Sequence, residues 1–284
     1  MPDLKLSPKP ESSPASPPTL ELGEYRKVAL FGGIYSNHLA LREALRLARG
    51  RGVDQVVALG DFGAFGPHPD RTVELLRRAG ASAIQGNYEE SLSSGAADCH
   101  CGYTDPRDNA FAQISYDYTR ENTSAEHKAW MGTLPGHIRL TLGGRRVLLC
   151  HGSPRRINEF LWRSMTPDVF IKKLLRDFDT DLIVCTHTGL HWKRFVERGR
   201  GIVNVGALGR PANDGRPNVW FAVVEAGAGG LEAELVPVDY CHERLAREME
   251  AERLPPEFVE TIRTGWWTSC LEILPAKERA AGRH

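Results

Sequence analysis

Residues 28–41 read VALFGGIYSNHLAL, which is an apolar strand, a turn with two glycines and the beginning of a helix. The helix continues through residues 39–49, with apolar side chains on one face and arginines on the other. Two further strands follow, at residues 56–59 and 81–84, with a second helix between them. This βαβαβ alternation predicts a parallel sheet, with a ligand crevice at the carboxyl ends of its strands.

The rest of the chain predicts more strands and a helical C-terminal end. Gly143-Gly144 lies between two apolar runs and indicates a hairpin turn, and Thr123–Glu126 has the pattern of a capping box that opens a helix. From Cys241 onward the sequence is charged and helical, and we expect Trp266 and Trp267 to pack it onto the domain or onto a second subunit of a homo-oligomer. The other predicted elements are strands at 138–142, 145–150, 182–185, 201–205, 219–224 and 231–236 and a helix at 167–176.

The composition predicts one domain flanked by two extensions. Residues 1–24 are rich in proline and serine and are predicted to be a disordered tail, residues 25–240 to form the domain, and residues 241–284 to form a helical extension that packs on it. The 36 basic residues balance the 36 acidic ones, so bulk charge indicates neither a nucleic acid nor a membrane as partner. No signal peptide and no run of ~18 apolar residues is visible. We therefore expect a cytoplasmic protein, with six cysteines that suit a reducing compartment.

Four polar side chains follow apolar strands directly. They are Asp61 in GDFGAFGP, Asn87 in GNYEE, His151 in CHGSP and His187 in CTHTGL. Each stands beside glycine or another small residue, where the backbone can turn sharply. One carboxylate, one amide oxygen and two imidazoles form a ligand set for a divalent transition metal. The sequence therefore predicts a metal site at one edge of the sheet.

The segments GDFGAFGPHPD, GNYEE, HGSP, THT and IVNVGALGRPANDG resemble the successive signatures of the calcineurin-like metallophosphoesterases, and most of all the small bacterial phosphodiesterase-like branch. The resemblance extends in order from Lys27 to Val238. It implies an α/β fold of four layers (αββα), in which two mixed β-sheets pack face to face with helices outside. It also implies two metal ions bridged by a carboxylate and a hydroxide that attacks phosphorus in line.

Position by position, the resemblance implies that one half of this dinuclear site is intact. Asp61 matches the bridging carboxylate, and Asn87, His151 and His187 match the other ligands of the second ion. We therefore expect one divalent ion of manganese, iron or zinc. Whether a second ion binds stays open.

The other half departs from the family pattern. Gly33 stands where the first ion's aspartate is expected, Tyr35 where its histidine is expected, and Gly189 at the last histidine of the family's Gly-His-Thr-His. Tyr88 replaces a histidine that helps to protonate the leaving group. Glycine offers no ligand and a neutral tyrosine hydroxyl is a poor one, so the first site should hold no ion unless other residues supply ligands.

Five residues could replace the missing ligands. Cys99, His100 and Cys101 form a dense cluster of soft ligands that would favour zinc or iron, although a surface loop, a redox-sensitive pair or simple packing are alternatives. His191 lies two residues beyond the missing last histidine, and His38 lies three residues beyond Tyr35. For both, a structural role is the competing interpretation.

These observations lead to two main hypotheses. The first is a divergent phosphoesterase that uses metal-bound water to hydrolyse a phosphomonoester or phosphodiester of a small molecule such as a nucleotide. The second is a non-catalytic relative that binds a nucleotide, a phosphate or a protein partner, and a different chemistry at a mononuclear site is a third reading. The candidate catalytic residues are Asn87, Tyr88, Asn37 and Arg210, and Glu89 either assists proton transfer or is an exposed loop carboxylate.

Overall fold

Two mixed β-sheets lie at the centre of the computed structural model, which describes residues 18–280. The six-stranded sheet contains, in spatial order, β1 (Thr19–Tyr25), β5 (His137–Leu142), β6 (Arg145–Leu149), β7 (Leu182–Cys185), β9 (Arg200–Val205) and β8 (His191–Glu197). The five-stranded sheet contains β11 (Gly230–Val238), β10 (Val219–Gly227), β2 (Lys27–Phe31), β3 (Gln55–Ala58) and β4 (Ser82–Ala83). Strands β2, β3 and β4 are parallel, as the sequence predicts.

The sheets pack against each other through alternate residues of their strands. In β2, Val28 and Leu30 face the opposite sheet, whereas Ala29 and Phe31 face the helices. Burial of each such valine or leucine contributes about 1.5–3 kcal/mol, and a one-residue slip of the strand would turn these side chains to the wrong face. The pattern of apolar residues therefore determines both the pairing and the packing of the sheets.

Helices cover the outer faces of both sheets. They are α1 (His38–Gly50), α2 (Pro69–Arg78), α3 (Asn87–Ser94), α4 (Pro106–Glu121), α5 (Ala125–Met131), α6 (Asp168–Asp177), α7 (His242–Ala251), α8 (Pro256–Thr264) and α9 (Ala276–Ala280). Helix α1 buries an apolar stripe against the five-stranded sheet, and α6 does the same against the six-stranded sheet. The predicted four-layer α/β sandwich is confirmed.

The N-terminal boundary of the domain differs from the prediction. Residues up to 24 were expected to be disordered, but Thr19–Tyr25 forms β1 and pairs in parallel with β5. Most side chains of β1 are exposed, and Leu22 and Tyr25 are the side chains of the strand that pack against the core between the sheets. Residues 1–17 of the predicted tail and residues 281–284 of the predicted extension lie outside the described residues.

Two local predictions also differ from the structure. Helix α5 is capped by Ser124, whose hydroxyl accepts from the backbone N–H of His127 at 3.3 Å, while the Thr123 hydroxyl donates to the carbonyl of Thr119. Thr123, the predicted capping residue, therefore bonds to the last turn of α4 and does not cap α5. Strand β8 was not predicted, because its outward side chains include lysine, arginine and glutamate.

The C-terminal helices lie against the domain. Leu245, Met249 and Phe258 of α7 and α8 pack on Leu39 of α1. After α8 the chain carries Trp267, which is 4% exposed, into the domain. Within residues 18–280, no helix is long and apolar enough to cross a membrane.

Candidate metal centre

The four predicted metal ligands meet where the ends of the two sheets face each other. Asp61 and Asn87 follow β3 and β4 of the five-stranded sheet, and His151 and His187 follow β6 and β7 of the six-stranded sheet. Each pair of strands is adjacent and parallel, so each pair of loops leaves its sheet side by side. The site therefore lies across both sheets rather than at the edge of one.

The backbone around these residues is adapted to close approach. Asp61 and His187 have φ angles of 55° and 67°, in the left-handed region that non-glycine residues seldom adopt. A Cβ atom on Gly60 would lie 2.2 Å from the backbone nitrogen of Gly86, and one on Gly86 would lie 2.5 Å from Oδ1 of Asp61. Only glycine at these two positions lets the Asp61 and Asn87 loops touch.

Donor atoms converge on Nε2 of His151. It lies 3.1 Å from Oδ1 of Asn87, 3.0 Å from Nδ1 of His187 and 3.3 Å from Oδ2 of Asp61. Ligands about 2.1 Å from a shared ion are separated by roughly 3.0–3.4 Å in octahedral and tetrahedral geometry. The observed separations therefore fit one divalent ion, and Asp61, His151 and His187 have ligand atoms within 4.8 Å of one another.

The protonation state of His151 also fits a bound metal ion. Nδ1 of His151 lies 2.6 Å from the carbonyl oxygen of Leu59, which can only accept, so this nitrogen carries the proton. The Nε2 lone pair then faces two oxygens, those of Asn87 and Asp61, and only a cation or a second proton can hold these atoms together. The residues present therefore fit a bound metal ion.

The charges of the site favour the ligand forms. Burial raises the pKa of Asp61, but the charge of His151 and their hydrogen bond lower it below its usual value on balance. Burial, assisted by the charge of His151, lowers the pKa of His187 to about 3, so this imidazole is neutral at pH 7. Burial lowers the pKa of His151, whereas Asp61 raises it above its usual value, so a proton on His151 can balance Asp61 when no ion does.

Glu89 holds the two loops of the five-stranded sheet together. It is fully buried rather than exposed, and its carboxylate accepts from the backbone N–H groups of Asp61, Phe62 and Gly86 at 2.7, 2.9 and 2.8 Å. Burial, followed by the charge of Asp61, raises the pKa of Glu89 to about 7. The sequence signal for this role is its place three residues after Gly86 at the start of α3, where a side chain can reach back to the loop.

Asn87 is oriented by the loop between α3 and α4, residues 95–105, which we call the cysteine loop. Its Nδ2 donates to the carbonyl of Cys99 at 2.8 Å and to Sγ of Cys101 at 3.3 Å, which turns Oδ1 toward His151. Cys99 and Cys101 form a disulfide, so neither has a thiolate to offer. The prediction that these cysteines replace missing metal ligands is therefore wrong in this structure. They lie in the loop that covers the site, and Cys101 lines the cavity.

The other predicted replacement ligands lie elsewhere. His100 is exposed and pairs with Ser91 and Asp98. His191 stacks on Trp220, and the buried His38 faces Glu248 of α7 with Nε2 at 3.4 Å from its carboxylate. Among residues 18–280, none of these histidines joins Asp61, His151 and His187 in the metal-ligand cluster.

Aromatic rings fill the half of the site that lost its ligands. A Cβ atom on Gly33 would lie 2.4 Å from Cε1 of Tyr35, so the tyrosine ring occupies the space of the missing aspartate side chain. A Cβ atom on Gly189 would lie 2.9 Å from Cη2 of Trp267, so an indole from the C-terminal extension occupies the space of the missing histidine. Aromatic rings therefore occupy the places of two ligands that the family pattern assigns to a first ion.

The predicted catalytic side chains are mostly engaged in the fold. The guanidinium of Arg210 lies between the rings of Phe65 and Trp267, at 4.7 and 3.9 Å from their centroids. Asn37 caps α1 by accepting from the backbone N–H of Ala40 at 2.9 Å. These two side chains do not line the cavity at the ligands, whereas Tyr88, the third candidate, does.

The cavity at the ligands is small and closed. Its free space is about 10 Å³, room for roughly one water molecule. It is lined by Tyr35, Asp61, Phe65, Tyr88, Cys101, Tyr103, Ala112 and His187. Tyr103 of the cysteine loop stacks on Phe160, whose ring lies 4.3 Å from that of His187, so a phosphoryl group gains access only when this loop moves.

Comparison with known proteins agrees with this architecture. The family model of the calcineurin-like phosphoesterase superfamily domain matches residues 27–228. An uncharacterized protein of Methanocaldococcus jannaschii is 23% identical over 255 residues, which cover 84% of this chain and 98% of that protein.

Two crystal structures resemble the whole domain. That of a metallophosphoesterase from Sphaerobacter thermophilus is 25% identical with a TM-score of 0.65, and the match covers 85% of this chain and 99% of that one. That of a hypothetical protein from Pyrococcus horikoshii is 18% identical with a TM-score of 0.71, covering 86% and 100%. The second likeness concerns the fold alone.

Proposed function

The chain belongs to the calcineurin-like phosphoesterase superfamily, and from this premise we propose that it hydrolyses a phosphomonoester or phosphodiester of a small molecule with a single divalent ion. Asp61, Asn87, His151 and His187 hold the ion. When bound, such an ion supplies positive charge against phosphoryl oxygens and makes a nearby water more acidic.

The chain's own residues prepare this site. Asp61 contributes the one negative charge among the ligands, and His151 is held in its ligand tautomer by the Leu59 carbonyl. Glu89 fixes the loops of Asp61 and Asn87 through three backbone hydrogen bonds. The cysteine loop covers the ligands and must move to admit a substrate.

The observation that carries the proposal is the convergence of four donors from four loops and both sheets on one point. A protein that keeps only the fold has no need for lone pairs that face each other in a buried place, since such an arrangement is unfavourable unless a cation or an added proton lies between them. The presence of all four donors therefore supports metal binding, and the family relationship supports phosphoester hydrolysis.

Metal analysis and a hydrolysis assay test the proposal together. Protein purified without added metal should contain about one equivalent of a divalent transition metal by mass spectrometry, and it should hydrolyse bis(p-nitrophenyl) phosphate or p-nitrophenyl phosphate with manganese present. His151→Ala should lose both the metal and the activity. His191→Ala removes an imidazole outside the cluster, and it should retain both.

The closed cavity favours a second candidate function, that of a phosphate-binding protein without catalysis. The rings of Tyr35 and Trp267 occupy the places of two ligands of a first ion, and one ion fewer means less stabilisation of the transition-state charge. Under this reading the metal-loaded protein binds inorganic phosphate but hydrolyses neither aryl ester. Turnover that disappears in His151→Ala excludes this reading.

A further inference from the structure

Three tyrosines, Tyr35, Tyr88 and Tyr103, line the cavity beside the metal ligands, and the hydroxyl of one of them is already engaged. The hydroxyl of Tyr88 lies 3.0 Å from Oγ of Ser115. Tyr103 stacks on Phe160, with ring centroids 6.0 Å apart. Within residues 18–280 the hydroxyl of Tyr35 makes no hydrogen bond, although its ring is 94% buried (6% exposed).

The free hydroxyl of Tyr35 lies beside Gly33. Its oxygen lies 2.8 Å from the point where a Cβ atom of residue 33 would stand, at the root of the missing aspartate. Its ring shares the small cavity with Asp61 and His187, and it packs edge-on against Phe65. The hydroxyl is therefore a hydrogen-bond donor held rigidly where the first ion's ligands would begin.

We propose that the Tyr35 hydroxyl binds a phosphoryl oxygen of the ligand, in the place that a first metal ion would otherwise take. The inference rests on the proposed function for the identity of the ligand, a phosphate or phosphate ester, but it does not require turnover. It assigns phosphate binding to Tyr35 rather than to Tyr88, because the Tyr88 hydroxyl is held by Ser115.

In hydrolysis the hydroxyl acts only as a donor. The oxygen of the attacking water forms a bond to phosphorus, and the bond from phosphorus to the leaving oxygen breaks. The proton given up by the water ends on the leaving oxygen, so Tyr35 finishes as it began. The hydroxyl donates to a negatively charged phosphoryl oxygen, and free phosphate carries the same kind of oxygen. The same hydrogen bond therefore forms when free phosphate binds.

Calorimetric titration of inorganic phosphate into the manganese-loaded protein tests the inference. Tyr35→Phe should weaken phosphate binding about 10-fold, as expected for loss of one hydrogen bond to a charged group. It should leave the metal content and the thermal unfolding temperature unchanged, because no protein hydrogen bond is lost. Tyr103→Phe is the matched control, since it removes the hydroxyl of another tyrosine that lines the same cavity but stacks on Phe160, and its phosphate affinity should equal that of the wild type.

Three outcomes would overturn the inference: no phosphate binding by the wild type, equal affinity in Tyr35→Phe, or equal losses in both variants. Failure of the proposed function looks different. If the wild type binds phosphate, Tyr35→Phe binds it more weakly and neither hydrolyses an ester, then Tyr35 is a phosphate-binding residue in a protein that does not catalyse hydrolysis, and the inference stands.

Discussion

The two halves of the site contrast sharply. The half that is formed by Asp61, Asn87, His151 and His187 is polar and its lone pairs face each other. The half that would hold a first ion is filled by the rings of Tyr35 and Trp267. The comparison teaches that loss of ligands did not leave an empty space, because apolar side chains took the same volume and joined the core.

In the half of the site without ligands, each aromatic ring depends on a glycine beside it. Tyr35 fits only because residue 33 has no Cβ, and Trp267 fits at 2.9 Å from the Cβ position of residue 189 only because that residue is also glycine. A single reverse substitution therefore meets a ring, not a vacant ligand position. Restoration of a ligand requires removal of the ring that replaced it.

The largest effect is expected for removal of Trp267. Its indole nitrogen donates to the carbonyl of Pro211 at 2.7 Å, and its ring stacks on the buried guanidinium of Arg210. Trp267→Ala should lower the free energy of unfolding by about 3–5 kcal/mol, as for other buried aromatic truncations. Urea denaturation measures this, and a cost below ~1 kcal/mol would show that the extension does not stabilise this half. Trp267→Phe, which keeps a ring, should cost less.

The polar half should respond in metal affinity rather than in stability. Asp61→Asn keeps the shape of the side chain but removes the only charged ligand, so the affinity for manganese should fall ~100-fold or more. Folding stability should change little, because the lost interaction with His151 is offset by removal of a negative charge beside the buried Glu89. Metal titration and thermal unfolding of the same preparation check both parts. Unchanged metal affinity would place the ion elsewhere.

A smaller effect is expected for a methyl group at residue 33. Gly33→Ala places Cβ 2.4 Å from the Tyr35 ring and should cost about 1–3 kcal/mol. Gly50→Ala is the matched control, since its Cβ would have nothing within 4 Å, and its stability should change by no more than ~1 kcal/mol. In a Tyr35→Ala background the cost of Gly33→Ala should largely disappear. Equal costs in both backgrounds would contradict the proposed pairing.

The smallest effect is expected in the cysteine loop. If Cys99 and Cys101 are not ligands, the double variant Cys99→Ser/Cys101→Ser should bind the same number of metal equivalents as the wild type. The backbone carbonyl of residue 99 still accepts from Asn87, so the amide keeps its orientation. We expect a change in metal affinity of less than ~10-fold, the lower end of the range for groups that orient ligands. Loss of one metal equivalent in this variant would show that the cysteines are ligands.

The sequence by itself predicted the layered fold and the four candidate ligands that the structure brings together, and the family resemblance indicated which ligands are missing. Each strand or helix shows a periodic pattern of apolar residues that can be recognised within the segment alone. The strands recognised from this pattern are followed by the four candidate ligands, Asp61, Asn87, His151 and His187. Local patterns failed where local apolar signals are weak, as in β1, whose side chains are mostly exposed.

Only the tertiary structure decided what occupies the first ion's place. Trp267 meets Gly189 across a long separation in the chain, and Glu89 is buried only because two loops fold over it. Such contacts depend on packing in three dimensions, since the space that a side chain fills is set by residues that are not its neighbours in sequence. Within the described part of the chain, the same packing left the hydroxyl of Tyr35 without a hydrogen-bond partner in this cavity, whereas that of Tyr88 is held by Ser115.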